Sequence, residues 1–498
     1  MSEKFPTRRG SSGIHTHRKL FLKGFPPVVT PVVFHTFIAT GNFSRNIDSP
    51  FPVPYNEGIL TNPHFPGKGA FTMNIREETK QMKLAAPLLA AMPIEQRNRA
   101  LALIKTRLNE HREEIFEANR KDLSLALENH VAPAVMKRLT FDEAKLADVT
   151  QELESLQSLP DPIGKITLHR QLDEGLTLTR VTCPIGVIGV IFEARPDALV
   201  QISSLCLKSG NCAILKGGKE TTYTNRILFS LIHEAALEAG LPAKCLLQAE
   251  QHNEIDELLA CHESVDLLIP RGSNAFVQYI MNHTSIPVLG HADGVCHMYV
   301  DKDYDIAKAI PLIIDGKTQY TAACNAVETV LVHRSIAEDF LPRLAEALHK
   351  AGVTIRGTKE VNAIIPVDVI PEGESWHKEY LDLILAIKLV GSTDEAISHI
   401  NTYGSHHTDC IITENEETAR RFMTLVDSAG VYQNASTRFA DGFRYGFGAE
   451  VGISTSKIHA RGPVGLEGLV SYKYKLLGHG QIVGDYASGK KKFHFRDL

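Results

Sequence analysis

The sequence predicts an α/β protein whose main parallel sheet is covered by helices on both faces. Short, largely apolar strand segments alternate with helical segments from residue 187 to residue 289. A second α/β stretch follows from about residue 294 to residue 436, and a β-hairpin pattern at 166–181 precedes the first stretch. Strands buried on both faces need a helix layer on each side. This topology is typical of dinucleotide-binding domains, whose sites lie at the carboxyl ends of the strands.

Length and composition narrow the class of protein. The chain has 498 residues, which suits two or three domains. Its composition, 43% hydrophobic and 22% charged, is ordinary for a globular protein, and its net charge of −5 gives no reason to expect nucleic acid or a membrane as a partner. No stretch reaches the roughly 20 apolar residues of a membrane helix. The eight cysteines form no C-x-x-C pair, so we expect free thiols and a cytoplasmic location.

The first 72 residues differ from the rest of the chain. They are rich in Pro, Phe, His and basic residues and show no helical or strand period. A transit peptide fits them weakly, and a disordered extension or an upstream start site fits about as well. From residue 75 to about residue 156 the apolar spacing predicts helices, for example with Leu101, Ile104 and Leu108 on one face. Asp173-Glu-Gly then marks the turn of the predicted hairpin.

The remaining elements follow from the same patterns. We expect strands at 187–192, 212–216, 245–248 and 265–269, with helices at 196–208, 223–238, 255–260 and 274–281. In the second stretch we expect strands near residues 298, 329, 354, 385 and 411, and helices at 336–350 and 417–426. The tail returns to short extended segments such as 468–477.

Two loops at strand ends are candidate cofactor sites. No clean G-x-G-x-x-G follows the first strand, and the similar run at 446–452 lies too late in the chain to be more than a loop. Lys216-Gly217-Gly218-Lys219 can bring ammonium groups and backbone close to a ribose and its phosphate, although a solvated loop has the same composition. Arg271-Gly-Ser273 opens a helix, where Ser273 can act as N-cap and the helix N-terminus can face a pyrophosphate.

Cys324 is the candidate nucleophile. It follows Thr321-Ala-Ala and precedes an apolar strand, so it is the one cysteine placed in a turn of small residues. A thiol beside a helix N-terminus or a basic group becomes a usable nucleophile. The alternative is a buried cysteine without chemistry, because free cysteines are often buried.

The segment 434–448 is a loop rich in glycine and polar groups that contains Arg438 and Arg444. Arginine suits a two-pronged grip on carboxylate or phosphate, but surface arginines are also common. Two groups that contain histidine are candidate metal ligands, but neither has a recognised spacing, so we expect no metal site. These groups are His291 with His297, and His406 and His407 with Asp409.

Together these blocks resemble the aldehyde dehydrogenase superfamily and, within it, the family of gamma-glutamyl phosphate reductases. The similar blocks are 186–196, 208–220, 270–274, 288–294, 324–326 and 434–452, within a resemblance that covers about residues 75 to 485. The resemblance implies an aldehyde-dehydrogenase-like fold with a Rossmann-type NADP-binding domain at 73–290, a catalytic domain at 291–445 and a return to the cofactor domain at 446–498. It also implies a small β oligomerisation arm, in which the hairpin 165–183 joins the tail of the chain within 446–498. Residues 1–72 lie outside it and are too short for a glutamate kinase domain.

The resemblance implies reduction of L-glutamyl 5-phosphate by NADPH to L-glutamate 5-semialdehyde and phosphate, through a thioester on Cys324. Hydrolytic aldehyde dehydrogenases have a water-activating glutamate where this chain has Val288, so phosphate and not water is the expected second reactant. NAD-using relatives have a glutamate where this chain has Lys219, and a cation there favours a 2′-phosphate. Glu193-Ala-Arg195-Pro replaces Trp-Asn-Phe-Pro, which removes one oxyanion donor and leaves its substitute unidentified.

We therefore expect the following site residues. The cofactor contacts are Lys216, Gly217, Gly218, Lys219, Arg271, Gly272, Ser273 and Glu379. The substrate contacts are Glu193, Arg195, Asn325, Asn434, Arg438 and Arg444. The expected partners are copies of the same chain and, functionally, a glutamate 5-kinase. Two rival functions remain. An NAD(P)-dependent aldehyde dehydrogenase that makes a free acid would be active without phosphate. A non-catalytic scaffold of the same fold would show no acylation of Cys324.

Overall fold

A computed structural model describes residues 74–131, 133–251, 253–290 and 293–498. The expected N-terminal extension, residues 1–72, and the candidate ligand His291 lie outside these ranges. Within them, no helix is long and apolar enough to cross a membrane.

The helices of the described residues alternate with strands over most of the chain. They are α1 (Ile75–Ala90), α2 (Ile94–Glu110), α3 (Arg112–Glu128), α4 (Pro133–Leu139), α5 (Glu143–Ser158), α6 (Pro196–Lys208), α7 (Thr222–Glu238), α8 (Asn253–Leu259), α9 (Asn274–His283), α10 (Ile306–Thr318), α11 (Ala337–Lys350), α12 (Lys359–Asn362), α13 (Thr393–Tyr403), α14 (Glu416–Leu425) and α15 (Val483–Ala487).

The strands form two parallel sheets, one antiparallel sheet and one short pair. They are β1 (Ile166–Asp173), β2 (Leu176–Pro184), β3 (Val187–Phe192), β4 (Cys212–Lys216), β5 (Leu246–Ala249), β6 (Leu267–Arg271), β7 (Cys296–Val300), β8 (Val327–His333), β9 (Thr354–Gly357), β10 (Asp368–Val369), β11 (Ile384–Val390), β12 (Thr408–Ile412), β13 (Gly430–Gln433), β14 (Ile453–Ser454), β15 (Gly462–Pro463), β16 (Val470–Leu477) and β17 (Arg496–Asp497).

The first parallel sheet has the order β5-β4-β3-β6. Its central strands β3 and β4 are buried along their whole length, because α1, α6 and α7 cover the sheet with apolar side chains. The predicted alternation of strands and helices is confirmed here. The fourth strand runs two residues further than predicted, to Arg271, because its backbone continues the parallel register with β3 as far as Phe192.

The second parallel sheet has seven strands in the order β10-β9-β11-β8-β7-β12-β13. The five predicted strands are confirmed, whereas α10, α13 and β13 were not predicted. The apolar run of α10 contains Pro311 and Gly316, both of which argue against a helix in sequence. Burial of Ala309 and Ile313 against the sheet overrides this propensity.

An antiparallel sheet of order β16-β2-β1-β17 stands beside these two. The predicted hairpin forms β1 and β2, and Gly175 in its turn has a φ of +67°, a conformation that glycine adopts without strain. Strand β16, from the tail of the chain, pairs with the whole length of β2. The sheet therefore joins segments that lie far apart in sequence.

Candidate active site

The carboxyl ends of β4, β3 and β6 lie side by side, and each is followed by a predicted site loop. Glu193 follows β3, Gly217 follows β4 and Gly272 follows β6. Beyond them lies a cavity of about 770 Å³ that also reaches the turn containing Cys324. The polar lining comprises Arg138, Glu193, Arg195, Arg271, Ser273, Asn274, Tyr320, Cys324, Asn325, Glu379, Arg438, Asp441 and Glu450.

Cys324 lies in the turn between α10 and β8, where it is half-buried. Gly294 packs directly on this turn, since a Cβ atom there would lie 2.2 Å from the carbonyl oxygen and 2.4 Å from the Cα of Cys324. Cys296 lies on the other side and donates its S–H to the carbonyl oxygen of Cys324 at 3.3 Å. Burial raises the pKa of the Cys296 thiol well above its usual range, so this second thiol stays protonated. Among the described thiols, Cys324 is the one that lines the cavity.

His407 is the nearest basic group to the candidate nucleophile. Its Nε2 lies 3.1 Å from Sγ of Cys324, and its Nδ1 lies 2.9 Å from the hydroxyl oxygen of Thr408. The imidazole is only 1% exposed, and it stands at the start of β12, a buried strand that fixes its position. A histidine at this distance can accept the proton of the thiol and hold the resulting thiolate.

Four arginines line the cavity: Arg138, Arg195, Arg271 and Arg438. In the part of the chain that the structure describes, none of them forms an ion pair with a carboxylate within 4.0 Å. Desolvation and then the neighbouring Arg195 lower the pKa of Arg271, while Glu450, Asp197 and Cys324 act in the opposite direction. The lining also contains the carboxylates of Glu193, Glu379, Asp441 and Glu450, so its formal charges balance. It is the guanidinium groups without a carboxylate partner that can bind an anionic ligand.

The electrostatic surroundings of Arg438 resemble those of Arg271. Desolvation and then Arg444 lower the pKa of Arg438, and Cys324 is again among the groups that oppose this shift. Its Nε donates to the side chain of Gln319 at 2.9 Å, which leaves the ends of the guanidinium group for a ligand. The charges of Arg271 and Arg438 thus act at the thiol itself.

The predicted cofactor loops are only partly brought to the cavity. Arg271, Gly272, Ser273 and Glu379 line it, whereas Lys216, Gly217, Gly218 and Lys219 do not. Nζ of Lys216 donates to the carbonyl oxygen of Gly217 at 2.8 Å, and burial lowers the pKa of this ammonium group. Lys219 is exposed at the start of the helical turn that leads into α7.

Ser273 occupies the N-cap position of α9, but its side chain makes no capping hydrogen bond. Instead, its backbone N–H donates to Oε2 of Glu193 at 3.1 Å. The loop Lys216-Gly217-Gly218-Lys219, together with Gly272 and the N-terminus of α9, offers donors that fit the phosphates and ribose of a dinucleotide. A phosphate at this helix would have to displace the Glu193 carboxylate.

Of the predicted substrate residues, some line the cavity and others do not. Glu193, Arg195, Asn325 and Arg438 line the cavity. Asn325 donates from Nδ2 to the carbonyl oxygen of Ala440 at 2.8 Å. Asn434 and Arg444 do not line the cavity. The amide of Asn434 exchanges hydrogen bonds with the backbone of Thr413, and Arg444 donates to the carbonyl oxygen of Arg438 at 3.0 Å.

A fully buried ion pair connects the elements on either side of Cys324. Nζ of Lys317, at the end of α10, lies 2.8 Å from Oε2 of Glu328 in β8. Burial raises the pKa of Glu328 to about 7, and Lys317 acts in the opposite direction. Glu328 also accepts the backbone N–H of Leu381 at 3.4 Å. The pair therefore links the Cys324 turn to the segment that carries Glu379.

Among the described residues there is no group of three or more side chains that could hold a metal ion. The candidate ligand His297 instead contacts Asp409 at 3.0 Å in a buried pair. The sequence indicates His407 only as a candidate metal ligand, and it gives no signal for Arg138. Neither position carries a local motif, since the fold alone brings Arg138 to the cavity wall and His407 to the thiol of Cys324.

Comparisons with known proteins agree with this geometry. A family model described as "Aldehyde dehydrogenase family" matches residues 68–368. The class defined by fold and site is thus an aldehyde-dehydrogenase-like oxidoreductase, which implies a nicotinamide cofactor, NAD or NADP. The gamma-glutamyl phosphate reductase of Acetivibrio thermocellus is 56% identical over 421 residues, which cover 84% of this chain and 97% of the relative. Gamma-glutamyl phosphate reductase 1 of Synechocystis is 53% identical over 83% of this chain and 96% of its own length.

Solved structures give the same result. The crystal structure of gamma-glutamyl phosphate reductase from Thermotoga maritima matches with a TM-score of 0.80 and 40% identity, covering 82% of this chain and all of that one. An acetylating aldehyde dehydrogenase from Geobacillus thermoglucosidasius matches with a TM-score of 0.57 at 18% identity and shows the fold alone. The chain belongs to the gamma-glutamyl phosphate reductases, within the aldehyde dehydrogenase family.

Proposed function

We propose that this chain catalyses the NADPH-dependent reduction of L-glutamyl 5-phosphate to L-glutamate 5-semialdehyde and phosphate, the second step of proline biosynthesis from glutamate. One observation supports this above all. The Cys324 thiol contacts His407 at 3.1 Å inside a cavity lined by four arginines, and none of these pairs with a described carboxylate. An acyl phosphate that also carries one carboxylate offers two anionic groups to these guanidinium groups.

The first chemical step follows from these contacts. His407 accepts the thiol proton, and the Cys324 thiolate attacks the acyl carbonyl carbon of the substrate. The bond to the phosphate oxygen breaks, and phosphate leaves with the electron pair next to Arg271 and Arg438. A thioester remains on Cys324. When bound, the cofactor supplies the hydride that converts the acyl group to the aldehyde and frees the thiol.

The fate of the thioester depends on excluding water as a nucleophile. Val288 is an apolar residue packed against the core of the first sheet and bridged to Leu268 of β6, so the position offers no base. A thioester without a water-activating carboxylate at this place persists long enough for reduction. In the reverse direction, inorganic phosphate would attack it.

His407→Gln is expected to lower kcat/KM by about 10²- to 10³-fold at neutral pH, because the thiol loses its proton acceptor. The deficit should shrink as the pH rises and the thiol ionises without help. The rate of Cys324 alkylation by iodoacetamide, measured against pH, provides a second readout that does not need substrate. His333→Gln, at the far end of β8, is the control. Equal alkylation profiles for wild type and His407→Gln would contradict this role.

Lys219→Glu is expected to raise the KM for NADPH by about 10- to 100-fold and to move the preference toward NADH, because a carboxylate would repel the 2′-phosphate. Steady-state kinetics with each cofactor measure the preference. Lys302→Glu makes the same charge change at an exposed residue away from the cofactor loops. If the wild-type enzyme uses NADH as well as NADPH, the NADPH proposal is wrong.

A coupled assay separates the proposal from its nearest rival. A phosphorylating enzyme reduces NADP⁺ with glutamate semialdehyde only when phosphate is present. An aldehyde dehydrogenase that forms the free acid does so without phosphate. Activity independent of phosphate would favour the rival.

We further propose that the chain forms a homo-oligomer through the arm formed by β1, β2, β16 and β17, and that it acts in the cytoplasm, where free thiols persist. The outer strand β16 exposes more than half of the side-chain surface of Tyr472, Tyr474, Leu476 and Leu477. An exposed apolar edge strand is usually covered in the native assembly.

We also propose that the domains divide at residues 73, 291 and 446, and that the chain associates functionally with a glutamate 5-kinase.

A further inference from the structure

Arg138 is the cavity-lining arginine with no place in the mechanism so far. It is the next-to-last residue of α4, a helix remote in sequence from the loops that supply Arg195, Arg271 and Arg438. Its side chain is exposed at the cavity wall. It makes no hydrogen bond and no ion pair with any residue that the structure describes.

The position of Arg138 is fixed by its neighbours. The next residue, Leu139, is fully buried in a small cluster with Ala194. The side chain of Asn119 donates to the carbonyl oxygen of Leu139 at 2.8 Å and accepts the backbone N–H of Phe141 at 2.9 Å. The end of α4 is thus held from both sides without a ligand. The backbone that carries Arg138 is thus fixed at the cavity wall, where its guanidinium group is available to an anion.

The other arginines already have the phosphate to bind. Arg271 and Arg438 line the same cavity as Cys324, and Thr437, the residue before Arg438, donates from its hydroxyl to the carbonyl oxygen of Asn325 at 2.7 Å. Cys324 is among the groups that act on the pKa of both arginines. The phosphate group is bonded to the carbonyl carbon that Cys324 attacks, so it must lie near these two. The α-carboxylate of glutamyl phosphate is separated from the carbonyl carbon by three carbons and needs a cation further away.

We propose that Arg138 binds the α-carboxylate of the substrate and thereby makes the enzyme selective for acyl phosphates and aldehydes that carry this group. The assignment rests on the proposed function. Ala194 places Arg195 beside the same wall, where it can share the carboxylate. Arg138 is then a specificity-determining residue that takes no part in the chemistry at Cys324.

Two aldehydes test the assignment in the reverse reaction. Glutamate 5-semialdehyde carries the α-carboxylate, and 4-aminobutanal is the same molecule without it. Each aldehyde is in equilibrium with a cyclic imine, so only part of it is present as the open-chain substrate. This part is the same for every variant, so it does not affect how the ratio of the two kcat/KM values changes from one variant to another. The measured quantity is kcat/KM for phosphate-dependent NADP⁺ reduction by wild type, Arg138→Gln and Lys137→Gln. Lys137 is exposed, adjacent and absent from the cavity lining, so it controls for the loss of one charge.

Arg138→Gln should lower kcat/KM for glutamate semialdehyde by roughly 10- to 100-fold more than for 4-aminobutanal. Lys137→Gln should keep the wild-type ratio of the two substrates. Equal losses for both substrates in Arg138→Gln, or no loss, would overturn the assignment. If the wild-type enzyme shows no phosphate-dependent activity with either aldehyde, the proposed function itself fails, which is a different result.

Discussion

Cys324→Ala is expected to lower phosphate-dependent NADP⁺ reduction by glutamate semialdehyde at least about 10⁴-fold, because no other group can form the thioester. The remaining thiols cannot replace it. Burial raises the pKa of Cys206 and Cys410 to about 12, and none of the other described cysteines lines the cavity. The assay is steady-state turnover in both directions, with thermal unfolding to show that the fold is intact.

Cys183→Ala is the matched control for this substitution. Cys183 is the other cysteine that is not fully buried, and it lies in β2 of the arm. It should keep near wild-type turnover. Turnover above a tenth of wild type in Cys324→Ala would exclude a covalent intermediate on this residue.

Gly294→Ala should reduce kcat on the order of 10²-fold while leaving a folded protein, because misplacing a reacting group by about 1 Å has an effect of this size. The new Cβ would meet backbone atoms of Cys324 at 2.2 to 2.6 Å, a distance that no side-chain rotation can relieve. The Cys324 turn must therefore shift away from its place, and the contact with His407 shifts with it.

Gly290→Ala adds the same methyl group four residues earlier, where its nearest contacts would be ordinary ones at 3.7 to 3.8 Å with Pro270. It should lose much less activity. Iodoacetamide labelling of Cys324 in both variants shows whether the thiol has lost its basic neighbour. A Gly294→Ala enzyme with the wild-type kcat would mean that the turn adapts without cost.

The fold class was predictable because its signals are local. Apolar runs such as 187–192 and 212–216 identify buried strands without any knowledge of their partners. Cys324 also stands out in the sequence as a cysteine in a turn of small residues, and the structure places it at the cavity. Its role as the nucleophile stays a prediction. The helix α10 was missed because Pro311 and Gly316 oppose it locally, and only packing against the second sheet decides the outcome.

The rest of the site depends on contacts between distant segments. His407 and Cys324 are separated by 83 positions, and no spacing rule connects them. Arg138 reaches the cavity through the packing of Leu139 on Ala194, which no motif records. Conversely, Asn434 and Arg444 belong to a loop with a suggestive composition, yet neither lines the cavity. The side chain of Asn434 bonds to the backbone of Thr413, and that of Arg444 bonds to the backbone of Arg438. Composition locates the loops, whereas tertiary packing selects the residues that face the cavity.

The pairing of β16 with β2 also sets an order of events during synthesis. Strand β2 leaves the ribosome long before residues 470–477 exist, and at about 5–20 residues per second the delay is on the order of tens of seconds. Throughout that interval one edge of β2 has open backbone donors and acceptors, which is the condition under which strands of nascent chains pair wrongly. A chain released before residue 470 would keep that edge open permanently. Strand β16, near the end of the chain, is thus the element that closes this edge of β2.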